Sequence, residues 1–142
     1  MLVISSAIFA QKEITEFRGI KWDTPFSEIS EGMVKAKTMT PGFKGFSKEG
    51  DDMNFAGAEA HHITYMFKKN LLCGVSFAYY RKDLETVVEN ITASYGEPKI
   101  TETFLLDNYE WMFEKTMITL TVFKTGEEAN NMLNIGKKRT RR

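Results

Sequence analysis

The sequence is poor in the residues that staple or break small folds, with one cysteine, three prolines and ten glycines in 142 residues. A lone Cys73 cannot form an internal disulfide. Its distance from the N-terminus also excludes it as the lipid-bearing first residue of a lipoprotein. No run approaches the roughly 20 apolar residues that a membrane-spanning helix needs. Neither sign of charge is in excess, with 19 Lys and Arg against 19 Asp and Glu, and 13% aromatic content excludes a disordered chain. Also missing are a Gly-x-Ser-x-Gly elbow, a Walker loop, a dinucleotide-binding glycine fingerprint and paired Cys-x-x-Cys motifs. What is left is one globular domain, long enough to bury about 68% of its unfolded surface without disulfide or metal. No cofactor is indicated.

The first ten residues are uncharged, and Leu2, Val3, Ile4, Ala7, Ile8 and Phe9 form an apolar run that ends at Ala10-Gln11. This reads as the core and cleavage site of a secretory signal without its basic leader. It implies an exported protein, periplasmic or extracellular, whose mature chain begins near Gln11. The alternative is an N-terminal strand. Charge is concentrated at the other end: Lys137, Lys138, Arg139, Arg141 and Arg142 are five of the 19 basic residues, leaving 14 against 19 acidic ones before them. An acidic body is a poor general surface for nucleic acid. The basic end has no apolar residue to pack with, so it reads as a loose tail able to contact an anionic surface. The expected organisation is a signal remnant over 1–10, one domain over 11–125 and a polar, basic tail over 126–142.

Between these ends the periodicity alternates between two and 3.6. Phe17 to Trp22 reads as a strand, and a helix is expected after it, with Asp23 or Thr24 as cap, Pro25 at the first position and Phe26, Ile29 and Met33 on one stripe. Thr40-Pro41-Gly42 ends that segment. Met53, Phe55 and Gly57 and, after Glu59 and His61, Ile63, Tyr65 and Phe67 share the odd parity, which Leu71, Cys73, Val75, Phe77 and Tyr79 repeat across Lys68-Lys69-Asn70; this predicts an antiparallel hairpin with Cys73 inward. Leu84, Val87, Val88, Ile91 and Tyr95, followed by Gly96 and Pro98, predict a helix over 83–95. Strands are expected near 99–106, 109–113 and 117–123, with a helical turn near 126–131. The fold class expected is α+β, a curved antiparallel sheet packed against two helices. Because Phe17–Met33 and Val75–Ile91 each place a strand before a helix, a β-α-β-β-β duplication is a further expectation.

Gly19-Ile20-Lys21-Trp22-Asp23-Thr24-Pro25-Phe26-Ser27-Glu28-Ile29 resembles the Gly-Ile-x-Trp-Gly-Thr/Ser-x-x-Glu-Val opening of small uncharacterised exported envelope proteins of the Bacteroidetes type. Tyr95-Gly96-Glu97-Pro98 is similar to their helix exit. Asp23 stands where those proteins carry Gly. The resemblance implies a helix-plus-antiparallel-sheet fold, related in shape to β-lactamase-inhibitor-like and outer-membrane-assembly lipoprotein domains. It carries no catalytic residue.

Candidate chemistry is sparse. Neighbouring His61 and His62 point to opposite faces of a strand, whereas Glu59 and His61 share one, about 7 Å apart, and are candidates for a carboxylate–histidine or metal pair. No third ligand is spaced to join them. Tyr80, Tyr109, Trp111 and Phe113 are candidate aromatic anchors of a binding face, because such side chains dominate interface energies. The leading expectation is a small exported, non-enzymatic binding or inhibitor-like domain that contacts a protein partner. An envelope enzyme or metal protein using Glu59 and His61, and an intracellular protein meeting nucleic acid through its basic tail, are the alternatives.

Overall fold

The computed structural model describes residues 13–38, 40–124 and 131–138. The expected signal at 1–10, residues 126–130 of the expected helical turn, and Arg139, Arg141 and Arg142 lie outside the described residues. Twelve strands are described: β1 (Glu16–Phe17), β2 (Ile20–Lys21), β3 (Met33–Ala36), β4 (Phe43–Lys48), β5 (Asn54–Phe55), β6 (Ala58–Glu59), β7 (His62–Lys68), β8 (Leu71–Tyr79), β9 (Lys99–Glu102), β10 (Leu106–Met112), β11 (Thr116–Phe123) and β12 (Asn131–Lys137). One α-helix, α1 (Leu84–Tyr95), lies between β8 and β9. Eight of the strands form one sheet in the order β3-β4-β7-β8-β12-β11-β10-β9, with every neighbouring pair antiparallel.

The order explains how the chain closes the sheet. From β3 to β8 it winds inward to the centre, α1 carries it to the far edge, and β9 to β12 wind back until β12 pairs with β8. Alternation then sorts the side chains. Ile63, Tyr65, Val75, Phe77, Ile118, Leu120, Leu133 and Ile135 point to one face and are at most 4% exposed. That face is covered by α1 through Val87 and Ile91, by Phe17 from the β1–β2 hairpin, and by Phe55 from the β5–β6 hairpin. Phe55 stacks on Phe77 at 4.5 Å, and Phe17 meets Phe77 edge-on at 5.6 Å.

The expected sheet packed against two helices is corrected by this architecture. The described residues are mostly strand, with one short helix of 15 residues when its leading 3₁₀ turn, Arg81–Asp83, is included. The first expected helix is a single 3₁₀ turn, Phe26–Glu28. Its flanking backbone is engaged by β8 instead: the N–H of Asp23 donates to the Leu72 carbonyl, that of Phe26 to the Asn70 carbonyl, and that of Leu72 to the Thr24 carbonyl. Gly32, at φ +79°, then turns the chain out of any helical path. Phe26, Ile29 and Met33 do pack against the core, so their spacing reports burial without helix. Without that first helix the expected β-α-β-β-β duplication loses one of its two units.

The C-terminal tail is corrected as well. Asn131–Lys137 is a strand between β8 and β11, in the middle of the sheet, with Leu133 fully buried. The Asn131 side-chain amide, also buried, donates to the Tyr80 carbonyl at 3.1 Å and ties the start of β12 to the chain entering α1.

Candidate functional site

Among the described residues, the second face of the large sheet carries nothing comparable to α1 and the two small hairpins. Strand register arranges its centre in three rows. Met112, Met117, Gly136, Gly74, Met66 and Gly45 follow one another across the strands. Thr119, Asn134, Ser76 and Thr64 form the next row, and Thr121, Met132, Ala78 and His62 the third. Small residues sit mid-sheet with methionines on either side, and the resulting hollow measures about 950 Å³. Ordinary ligand hollows span about 300–1,000 Å³.

Two glycines set the depth of this hollow. Gly74 and Gly136 face each other across β8 and β12. A Cβ on Gly136 would collide with the Cys73 carbonyl and lie 2.7 Å from the Gly74 Cα, so the strands approach more closely than any side chain would permit. Beside them, Cys73 is the extra residue of a bulge: Met66 pairs with Gly74 and Phe67 with Leu72. The bulge moves parity by one residue. Leu72 is therefore buried, whereas Leu71 is exposed and Cys73 lines the hollow, half-buried, with its thiol 3.4 Å from the Met66 carbonyl. The expectation of an inward, core Cys73 is corrected accordingly.

One end of the hollow is basic. Lys37, Lys68, Lys69, Lys137 and Lys138 belong to its lining, and among the described residues Asp23 is the one carboxylate there. Lys137 bonds both Asp23 oxygens at 2.8 Å, and the Lys68 ammonium lies 5.6 Å from the Phe43 ring centre. Lys69 and Asn70 have φ of +53° and +65°, the two-residue hairpin geometry that favours Asn and Gly.

The other sequence candidates are dispersed. Trp111 and Phe113 point into the core, and Trp111 Nε1 donates to the Gly96 carbonyl at 2.8 Å behind α1. Tyr109 is half-buried and stacks on Trp111, so of the four aromatic candidates Tyr80 alone presents its ring substantially to solvent. It lies 5.1 Å from the His61 ring. Glu59 ends β6, while His61 stands in the joint before β7, so they do not share the single strand that their spacing predicts. Among the described residues no three His, Cys, Asp or Glu side chains are grouped to hold a metal. Lys137 and Lys138, the described part of the basic end, are ordered at the hollow's rim.

Perturbed ionisation occurs away from the hollow. Burial, followed by the hydrogen bond to Asp51 at 2.9 Å, raises the Tyr65 hydroxyl far above its ordinary range. Burial does the same to Tyr79, whose hydroxyl donates to the Phe55 carbonyl at 2.7 Å. Both remain neutral hydrogen-bond donors that fasten the 51–55 segment over the core. Glu13 is held below the usual carboxylate range, chiefly by the Thr116 hydroxyl and then by backbone N–H groups near Lys115. No protein-family model, characterised protein or solved structure matches the chain. Among the described residues, no helix is long and apolar enough to cross a membrane.

Proposed function

We propose that the chain is a small non-enzymatic binding domain, inhibitor-like in use, that contacts a protein partner in the cell envelope through the open face of its sheet. The observation that carries this reading is the centre of an eight-stranded sheet that no described residue covers, hollowed by Gly74 and Gly136 and bordered by Met66, Met117 and Met132. Methionine is unbranched and polarizable, so it moulds to apolar groups of varied shape. The apolar run before Gln11 and the Gly-Ile-x-Trp opening support export and an envelope setting.

A blocking substitution tests it. Thr119 lies mid-face, between the core positions Ile118 and Leu120, and Thr119→Arg fills the hollow without touching the core. Tagged wild-type and Thr119→Arg chains are compared for capture of envelope proteins in their native host. Loss of a specific captured partner at unchanged melting temperature is expected. Equal capture by both chains refutes the use of this face.

A further inference from the structure

The rim of the open face carries information about what lies on it. Strand polarity brings the ends of β3, β7 and β12 and the starts of β4, β8 and β11 to one end of the sheet. Lys37, Lys68, Lys69, Lys137 and Lys138 gather there. Asp23 neutralises Lys137, and no other ion pair is formed by these five lysines among the described residues. Lys69 also holds a left-handed backbone conformation that Asn or Gly adopts with less strain. Turn geometry therefore does not account for a lysine at that position, and residues kept in strained conformations cluster at functional sites.

From this charge pattern we infer that the occupant of the open face is an acidic protein segment, its apolar side chains on the methionine floor and its carboxylates toward the lysine end. This rests on the reading of the face as a binding surface and adds the partner's chemistry to it. Among the described residues Phe43 is the one aromatic ring in the lining, and the cations there are lysines. Single-stranded nucleic acid is held instead on aromatic platforms, so the floor fits peptide side chains better than bases. The same lysines supply attraction that salt screens over roughly 10 Å at 0.1 M.

The test uses the full chain and defined fluorescent probes: a short peptide alternating Glu and Leu, its Lys-Leu counterpart, and a short oligothymidylate. The Glu-Leu peptide is expected to bind at low salt and to weaken as salt rises. Binding should weaken about tenfold in Lys68→Glu/Lys69→Glu, since each 1.4 kcal/mol is a factor of ten. A charge-matched control, Lys48→Glu/Lys82→Glu, should change it little. Failure of the Glu-Leu peptide to bind, equal weakening by both double variants, or oligothymidylate binding at least as tight overturns the acidic assignment. If Thr119→Arg still abolishes partner capture in that event, the binding-face reading stands and only the partner's chemistry is wrong.

Discussion

Gly136→Ala probes the seam on which both the sheet and its hollow depend. The added methyl would collide with the Cys73 carbonyl and lie 2.7 Å from the Gly74 Cα. Both are backbone atoms, so no side chain can rotate away, and β8 and β12 must separate. Overpacking of this kind costs about 1–3 kcal/mol. Losing ladder hydrogen bonds adds about 1 kcal/mol each. A total of about 3–4 kcal/mol corresponds, for a chain of this length, to a fall of about 10 °C in melting temperature. Gly42→Ala is the control. It has φ +87° with nothing within 4 Å of an added Cβ, so it incurs left-handed strain alone, about 1–2 kcal/mol. Gly74→Ala, whose Cβ would lie 3.1 Å from the Ile135 carbonyl oxygen, should fall between the two. Thermal and urea unfolding of the three variants measure the series. Gly136→Ala no more destabilising than Gly42→Ala would refute the close approach of β8 and β12 at this point.

Three further outcomes follow from the packing and the charges. Ile91→Ala should cost about 2–5 kcal/mol as a buried truncation, whereas Glu85→Ala on the exposed side of α1 should cost under about 0.5 kcal/mol; urea unfolding compares them. Because its pKa is depressed in the folded chain, Glu13 stabilises its contacts above the ordinary carboxylate range, and this contribution is lost as pH falls through its lowered value; the protection of the Lys115 amide against hydrogen exchange, taken relative to its intrinsic rate at each pH, should therefore fall on acidification, and Glu13→Gln should remove that dependence. Lys137→Ala, which breaks a solvent-exposed pair with Asp23, should change stability by at most about 1 kcal/mol, and a larger loss of melting temperature would contradict the reading of that pair as a surface contact.

Legibility of the fold followed the strength of local pattern. The β7–β8 hairpin is written in apolar odd positions on either side of Lys68-Lys69-Asn70, and α1 in a stripe stopped by Gly96, which has φ +93°. Helix spacing misled at Phe26, Ile29 and Met33 because a core contact was available to each without helix, while the backbone of 23–26 was engaged by β8. Between Lys99 and Met112 the turn lies at Thr103, whose hydroxyl bonds both the N–H and the carbonyl of Leu106, and not at Asp107-Asn108. β12 was hidden by polar lettering: Asn131, Leu133 and Ile135 point inward, but Met132, Asn134 and Gly136 between them gave the composition of a loose tail. The open face left a trace in the same way. Beyond the bulge the even positions of β8 are Gly74, Ser76 and Ala78, small where a second covered face would be apolar, and only strand order shows that β12 and β11 continue those rows.

Photo-crosslinking in the native host tests the central claim most directly, with a benzophenone side chain placed at Thr119 on the open face, at Glu85 on α1, or at the hairpin tip residue Phe104, which is 91% exposed. The account predicts a discrete crosslinked partner from Thr119, lost when Ser76→Arg blocks the same row two strands away, and none of that product from Glu85 or Phe104. A partner captured from Glu85 or Phe104 while Thr119 yields none would contradict it.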